Sequence, residues 1–107
     1  MVLMIYIKSH KTEDGGAILA MCDEALINSV LDDGNIFIDV KSYSEFYRGD
    51  LVDGTKAVEM VKAENAVSIN AVGPESVKAA AAAMAISEEN VKNINGVPYA
   101  QAYKVDY

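Results

Sequence analysis

The chain contains few of the residues that catalytic and metal centres most often use. It has one cysteine, one histidine and no tryptophan among 107 residues. A single cysteine excludes an internal disulfide and a cysteine-based metal cluster. Basic residues are also few: nine lysines and arginines are scattered singly along a chain of net charge −7. The sequence therefore predicts no disulfide, no metal and no other cofactor.

Long apolar segments are missing as well. The N-terminal run Val2–Ile7 is too short for a signal peptide. The alanine-rich segment stops near Ile86, well short of a membrane span. These features predict a cytosolic protein without membrane contact. The acidic balance argues against binding duplex DNA through a broad basic surface, because that affinity comes from many phosphate contacts.

A thiol–imidazole pair is the first catalytic arrangement to consider, because Cys22 and His10 are the only residues of their types. If the first two strands form a hairpin with His10 opposite Ala17, Cys22 lies opposite Ile5. Five residues then separate the two groups, or roughly 16 Å along a strand. The sequence therefore predicts a packed thiol at Cys22 and a solvated strand end at His10.

The acidic residues are the second possibility. Asp32-Asp33 and the pair Asp50 and Asp53 have the spacing of turn and cap residues, and no loop pattern for a cation follows them. No glycine pattern of nucleotide-binding loops or of hydrolase nucleophiles occurs. The sequence thus offers no catalytic residue and favours a non-enzymatic protein.

The C-terminal third contains the clearest structural signal. Two apolar-polar runs flank Asn95-Gly96, which predicts a two-residue β-hairpin turn with Ile94 facing Val97. Pro98 follows, and its missing N–H should not be needed inside the hairpin. On the outer side of that strand we expect a sheet edge or an irregularity at Pro98.

Four other segments have strand composition and period. These are Val2–His10, Ala17–Cys22, Ile36–Lys41 and Asn65–Val72.

Helices are predicted between the strands from caps and apolar spacing. One starts at Asp23 with the stripe Leu26, Ile27, Val30 and Leu31. A capping box at Ser42–Glu45 predicts a short turn to about Tyr47. A third helix is capped by Asp53, with the stripe Ala57, Val58, Met60 and Val61. A fourth opens at Gly73-Pro74, with the inner face Val77, Ala80, Ala81 and Met84.

Hairpins mixed with helices indicate an α+β fold. We expect one domain over residues 1–107. It should contain a mostly antiparallel sheet of about six strands, three to four helices packed on that sheet, and the C-terminal β-hairpin.

Two kinds of binding site are predicted. The helix start at Gly73 and Ser76 exposes N–H groups that attract anions, although Glu75 competes for the same dipole. Aromatic side chains supply the other site, because rings stack on the bases of single-stranded RNA. Its candidate residues are Tyr99, Gln101 and Tyr103 on one face of the last strand, and Tyr47 and Arg48 beside a glycine turn. The alternative is that these rings cover the core.

Four segments together resemble an archaeal family, domain of unknown function four-two-four (DUF424). They are Cys22–Ile27, Phe46–Asp53, Asn70–Val77 and Asn95–Gln101. The most specific part is Gly-Val-Pro-x-Ala-Gln at Gly96–Gln101. The resemblance implies archaeal origin, a cytosolic setting and an association with translation through RNA. It carries over no catalytic residue.

These observations together favour a non-enzymatic binding or accessory module linked to translation, with RNA or a translation-related protein as partner. One alternative is a protein-interaction domain that never touches RNA. Another is a binder or enzyme of a small anionic metabolite at Gly73.

Overall fold

The computed structural model describes residues 3–64 and 66–103, so Val2 and Asn65 of the predicted strands lie outside the described residues. The described strands are β1 (Met4–Lys11), β2 (Ala17–Asp23), β3 (Val30–Asp32), β4 (Phe37–Asp39), β5 (Asp50–Asp53), β6 (Ser68–Val72), β7 (Val91–Ile94) and β8 (Val97–Tyr103). The helices are α1 (Ser44–Tyr47), α2 (Gly54–Ala63) and α3 (Pro74–Ala82), with single 3-10 turns at Glu24–Leu26 and Glu88–Asn90.

Six of the described strands form one sheet in the order β5-β1-β2-β6-β8-β7. Every neighbouring pair is antiparallel except β2 and β6, which run parallel. The other two strands, β3 and β4, form a separate two-stranded ribbon. The predicted α+β fold with a mostly antiparallel six-stranded sheet and a C-terminal hairpin is confirmed.

Helices α2 and α3 cover one face of the sheet. Asp53 caps α2 as predicted, since its Oδ1 accepts the Lys56 N–H at 2.8 Å. Ala57 and Val61 of α2 are buried against the strands. The strand residues of this first core alternate along each strand, as a half-buried sheet requires. They are Ile5, Ile7, Leu19, Met21, Ile69, Ala71 and Ala100.

The ribbon and α1 lie on the opposite face, where they enclose a second core. Its buried members are Cys22, Ile27, Leu31, Val40, Val72 and Ile94. Basic side chains of β1 hold α1 in place, because Lys8 Nζ donates to the carbonyl of Glu45 at 2.8 Å. The His10 ring stacks on Phe46 at 4.5 Å between centroids.

The C-terminal hairpin has the predicted turn. Asn95 and Gly96 have φ angles of 52° and 81°, and Ile94 pairs with Val97. The ladder between β6 and β8 includes Tyr99–Tyr103, so Pro98 lies just outside it. The Gly73 N–H donates to the Pro98 carbonyl at 2.9 Å. The expected irregularity is therefore the point where the chain leaves β6 and enters α3.

The predicted helix after Asp23 is wrong beyond its first turn. Only Glu24–Leu26 is helical, and Val30 and Leu31 belong to β3. Asp33 explains the change, because its Oδ1 accepts the N–H groups of Asn35 and Ile36 at 2.9 and 2.7 Å and closes the turn of the ribbon. Acids at a helix C-terminus oppose the helix dipole, whereas at a turn they satisfy backbone donors.

Two consequences concern the strands. The predicted strand Ile36–Lys41 is reduced to β4 and pairs in the ribbon rather than in the sheet. The sixth sheet strand is instead β5, which pairs along β1 and was not predicted. The capping box at Ser42–Glu45 is also wrong, because α1 starts at Ser44 with no side-chain cap.

The register of the first hairpin differs by one residue from the prediction. His10 pairs with Ile18, and Cys22 pairs with Tyr6. A turn of five residues, closed by the Thr12 N–H on the Gly16 carbonyl at 3.0 Å, replaces the expected six. A shift of one residue exchanges the two faces of a strand. His10 and Cys22 therefore share a face, although four residues still separate their positions.

The inner face predicted for α3 is partly wrong. Val77 and Ala80 are buried with Ser76 and Ala79, but Ala81 is exposed and Met84 lies beyond the helix. The helix ends at Ala82 in a Schellman motif: the Met84 N–H donates to the Ala81 carbonyl and the Ala85 N–H to the Ala80 carbonyl. Met84 has a φ of 61°, at a position that usually holds glycine.

Met84→Gly is expected to stabilise the fold. The left-handed backbone costs an L-residue about 1–2 kcal/mol, and glycine avoids this cost. Part of the gain is lost, because glycine has more conformational freedom in the unfolded state. We expect a net gain of about 0.5–1 kcal/mol in the free energy of unfolding, measured in urea. Met84→Ala is the control and should show no such gain, because its backbone strain remains. Equal stability of the two variants would contradict this reading of the motif.

Candidate functional site

The structure separates the predicted site residues into three places. Gly73 and Ser76 lie at the start of α3, Tyr47 and Arg48 at the end of α1, and Tyr99, Gln101 and Tyr103 on β8. Gly73, Ser76 and Tyr47 pack against the rest of the molecule. The exposed residues of β8 border an accessible surface.

The N-terminus of α3 already holds an anion, the carboxylate of Asp23. Asp23 Oδ1 accepts the N–H and the hydroxyl of Ser76, both at 2.8 Å, and Oδ2 accepts the Glu75 N–H at 3.1 Å. Asp23 is 8% exposed and Ser76 is fully buried. Asp23 was expected to cap its own segment, but it makes no side-chain cap there. An external anion at Gly73 and Ser76 would have to displace this carboxylate.

Gly73 permits this contact. A Cβ at that position would lie 2.4 Å from Asp23 Cγ. The backbone of Gly73 has φ 108° and ψ 156°, a region that essentially only glycine occupies. Asp23 was not foreseen as the partner because it lies 53 residues from Ser76 in the chain. The only signal was an aspartate next to a strand end, without a local donor to cap.

Cys22 and His10 do not form a catalytic pair. Cys22 is fully buried in the second core, and burial together with the neighbouring Asp23 charge raises the pKa of its thiol to about 12. The His10 ring is engaged elsewhere, because its Nε2 lies 2.7 Å from the Phe46 carbonyl, which requires a proton on Nε2. The thiol is therefore a neutral packing group.

Tyr47 and Arg48 stand beside the second core. Tyr47 is half-buried there, and this burial, with a smaller contribution from Cys22, raises its pKa to about 12. The Arg48 guanidinium lies over the Tyr6 ring, 5.8 Å from its centroid, and is exposed. Arg48 can reach a ligand, whereas the Tyr47 ring is a packing element.

A surface here called the open sheet face lies on β6 and β8, on the side opposite α2 and α3. It continues across β2 to β1, where the Lys8 and His10 side chains are engaged by α1. The strand registers place its side chains in two adjacent rows. One row contains Lys8, Ala20, Asn70 and Gln101, and the other contains His10, Ile18, Ser68 and Tyr103. All eight lie outside the second core.

The exposure of the open sheet face is concentrated on β8. Ala20 and Ser68 are buried, Asn70 is half-buried, and Gln101 and Tyr103 are exposed. His10 stacked on Phe46 forms one border, and Tyr103 forms the other. Three strand spacings separate His10 from Tyr103, roughly 14 Å.

The three β8 candidates differ in their exposure. Tyr99 pairs with Val72 and packs half-buried against the second core. Gln101 is exposed and donates from Nε2 to the Tyr103 hydroxyl at 3.0 Å. Tyr103 is 68% exposed, so its ring can be stacked upon. Asn70 lies directly opposite Gln101 on β6 and was missed in the sequence, where nothing set it apart from other strand residues.

The charged side chains that the sheet strands themselves place on the non-helical side are mostly basic. Among the described sheet strands, the basic side chains on the non-helical face are Lys8, His10 and Lys92, and Arg48 stands beside them. The acidic strand residue there is Asp53, whose carboxylate caps α2. The ribbon and α1 on the same side also carry acidic residues, namely Asp32, Asp33, Asp39 and Glu45.

The helical side of the molecule contains a groove of about 480 Å³. It lies where α2 and α3 end above the sheet, with Leu19 and Ile69 at its floor. Its rim combines exposed apolar side chains, Met84 at 88% and Val67 at 39% exposure, with the charged residues Lys62 and Glu64. Tyr103 also borders this groove.

Two classes of site receive no support within the described residues. No three of their histidine, cysteine, aspartate and glutamate side chains converge in a way that could hold a metal ion. In the same ranges no helix has the length and apolarity needed to cross a membrane.

Comparison with known proteins supplies a family and a fold, and no activity. The crystal structure of an uncharacterised conserved protein from Methanopyrus kandleri is similar, with a TM-score of 0.79 and 25% sequence identity. The similarity covers 94% of this chain and 90% of that one. No curated protein matches the chain. The family model described as a protein of unknown function, DUF424, matches residues 10–105. The chain therefore belongs to the DUF424 family.

Proposed function

We propose that this chain is a non-enzymatic binding module, linked to translation, that takes single-stranded RNA on the open sheet face. The observation that carries the proposal is Tyr103, a ring 68% exposed beside the exposed Gln101 on the open sheet face. Exposed aromatic rings on a sheet stack on unpaired bases and tolerate any base.

The surrounding charges support an anionic ligand. Lys8, Lys92 and Arg48 lie on or beside this face, while Asp53 caps α2 and the ribbon carboxylates Asp33 and Asp39 accept backbone N–H groups. Each phosphate contact adds electrostatic affinity that salt weakens. So few cations support a short contact of low affinity, which is consistent with an accessory role.

Other readings have less support. A metabolite at Gly73 and Ser76 would compete with three hydrogen bonds to Asp23. An enzyme would need an activated group, and burial keeps the Cys22 thiol neutral by raising its pKa to about 12.

Tyr103→Ala is expected to weaken the binding of single-stranded RNA by about 1–3 kcal/mol, the value of one lost base stack. It should cost well under about 1 kcal/mol of stability, because an exposed ring adds little to the core. Fluorescence anisotropy with a labelled unstructured RNA measures the first effect, and a urea midpoint measures the second.

Two surface variants serve as controls. Tyr43→Ala removes a ring of similar exposure, 65%, outside the sheet and should leave RNA affinity unchanged. Arg48→Ala should reduce the salt dependence of binding, whereas Lys78→Ala, on α3 and away from Tyr103, should not. No detectable affinity in the parent at low salt would overturn the proposal.

A protein-interaction domain is the second candidate, and the exposed apolar rim of the groove favours it. In that case Met84→Glu, and not Gln101→Ala, should abolish capture of a partner from native lysate. Ribonuclease treatment should leave the capture unchanged. Capture that ribonuclease removes would instead support the RNA proposal.

A further inference from the structure

Two carboxamide side chains lie next to each other on the open sheet face. Asn70 and Gln101 are directly opposite on neighbouring antiparallel strands, within about 5.5 Å of each other at Cβ. Asn70 is half-buried and Gln101 is exposed. Base stacking alone does not need them, because a ring such as Tyr103 accepts every base.

The orientation of the Gln101 amide is set by its neighbour. Nε2 donates one N–H to the Tyr103 hydroxyl at 3.0 Å. Within the described residues the second N–H and Oε1 make no other side-chain hydrogen bond, so both can contact a ligand. The amide thus presents a donor next to an acceptor, close to the ring on which a base would stack.

Adenine is the base that this pattern fits best. Its N6 amino donor lies beside an acceptor on the Watson–Crick edge, at N1, and on the Hoogsteen edge, at N7. Uracil and cytosine offer an adjacent donor and acceptor only on the Watson–Crick edge, and the second such pair of guanine, N2 and N3, lies next to the ribose. Asparagine and glutamine accordingly pair with adenine in a bidentate manner. Purines also cover more of a tyrosine ring than pyrimidines do.

We infer that Asn70 and Gln101 make the open sheet face selective for adenine-rich single-stranded RNA. This inference rests on the proposed RNA-binding function. Tyr103 supplies the stacking energy, which is common to all bases, and the two carboxamides supply the difference between bases. Sequence selectivity in single-stranded RNA generally arises in this way, from hydrogen bonds to the edges of splayed bases.

The test compares oligoadenylate, oligouridylate and oligocytidylate of equal length by fluorescence anisotropy at low salt. The parent should bind oligoadenylate about tenfold more tightly than either pyrimidine polymer. Gln101→Ala and Asn70→Ala should each narrow that ratio while leaving the affinity for oligouridylate nearly unchanged. Tyr103→Ala should weaken all three polymers by a similar factor.

Tyr103→Phe separates the orientation of the Gln101 amide from the stacking of a base on the ring. It keeps the ring and removes the hydroxyl that fixes the Gln101 amide, so it should retain binding to oligouridylate and narrow the preference for oligoadenylate. Equal affinity of the parent for the three polymers, or a preference that survives in both carboxamide variants, would overturn this inference and leave the proposed function standing. Absence of binding to any polymer would overturn both.

Discussion

Asp23→Ala is expected to lower the free energy of unfolding by about 3 kcal/mol. The carboxylate is 8% exposed and satisfies three donors at the start of α3. Its removal leaves the Ser76 N–H and hydroxyl buried without an acceptor, and an unsatisfied buried group costs about 1–3 kcal/mol. The lost cap adds about 1 kcal/mol. Urea unfolding measures the sum.

Asp53→Ala is the matched control. It removes the same carboxylate from a helix N-terminus, but Asp53 is exposed and makes one cap bond, to the Lys56 N–H at 2.8 Å. We expect a cost of about 1 kcal/mol there. Similar losses in the free energy of unfolding for the two variants would mean that neither the burial of Asp23 nor its contact with Ser76 adds to stability.

Gly73→Ala tests the other side of the same contact. A Cβ would collide with the Asp23 carboxylate at 2.4 Å, in a backbone region that excludes other residues. In the Asp23→Ala background the collision disappears and only the backbone strain of about 1–3 kcal/mol remains. The double variant should therefore be more stable than the sum of the single losses. Strict additivity would show that the two residues do not meet.

Gly49→Ala is expected to destabilise the fold by about 3 kcal/mol or more. Gly49 joins α1 to β5, and a Cβ there would lie 2.3 Å from the Ile7 carbonyl oxygen and 2.7 Å from Lys8 Cβ. The colliding atoms belong to the backbone and Cβ of β1, which cannot rotate away as the end of a flexible side chain can. The added methyl group must therefore move β5 away from β1. The adjacent pair of Ile7 and Asp50 should open first.

Gly54→Ala is the control for this prediction. Gly54 is the first residue of α2, and a Cβ there meets nothing within 4 Å. Because alanine favours the helix, the variant should be as stable as the parent or slightly more so. Hydrogen exchange would localise the Gly49→Ala effect. Amide hydrogen exchange that stays slow in β5 while the urea midpoint of Gly49→Ala falls would contradict the proposed displacement of this strand.

Local signals were enough to predict several elements. Asn95-Gly96 specified the hairpin turn, Asp53 the cap of α2, and Pro74 the start of α3, because each depends on a few neighbouring residues. The segment after Asp23 was predicted wrongly because its apolar residues fit both a helix and a strand. Asp32 and Asp33 at its end already opposed a helix, and they close the ribbon turn instead.

Features that depend on distant partners were not predictable from the chain alone. The contact of Asp23 with Ser76 spans 53 residues. The pairing of β5 with β1 depends on a close approach at Gly49, which the sequence shows only as a glycine beside a charged pair. His10 and Cys22 share a face because the turn between β1 and β2 is one residue shorter than predicted, which shifts the register by one residue. The β8 candidates were predicted to share a face, but their different exposures follow from where the ribbon ends.

The side-chain amide signals of Asn70 and Gln101 offer the most direct test of the proposed function. These NH₂ groups point from the open sheet face, so their NMR shifts report contact there more specifically than backbone amides do. Titration with oligoadenylate at low salt should shift both signals and the Tyr103 ring, with little change at Lys56 of α2 and Lys78 of α3 on the helical side. Shifts confined to the groove, or no shifts at all, would contradict RNA binding on this face.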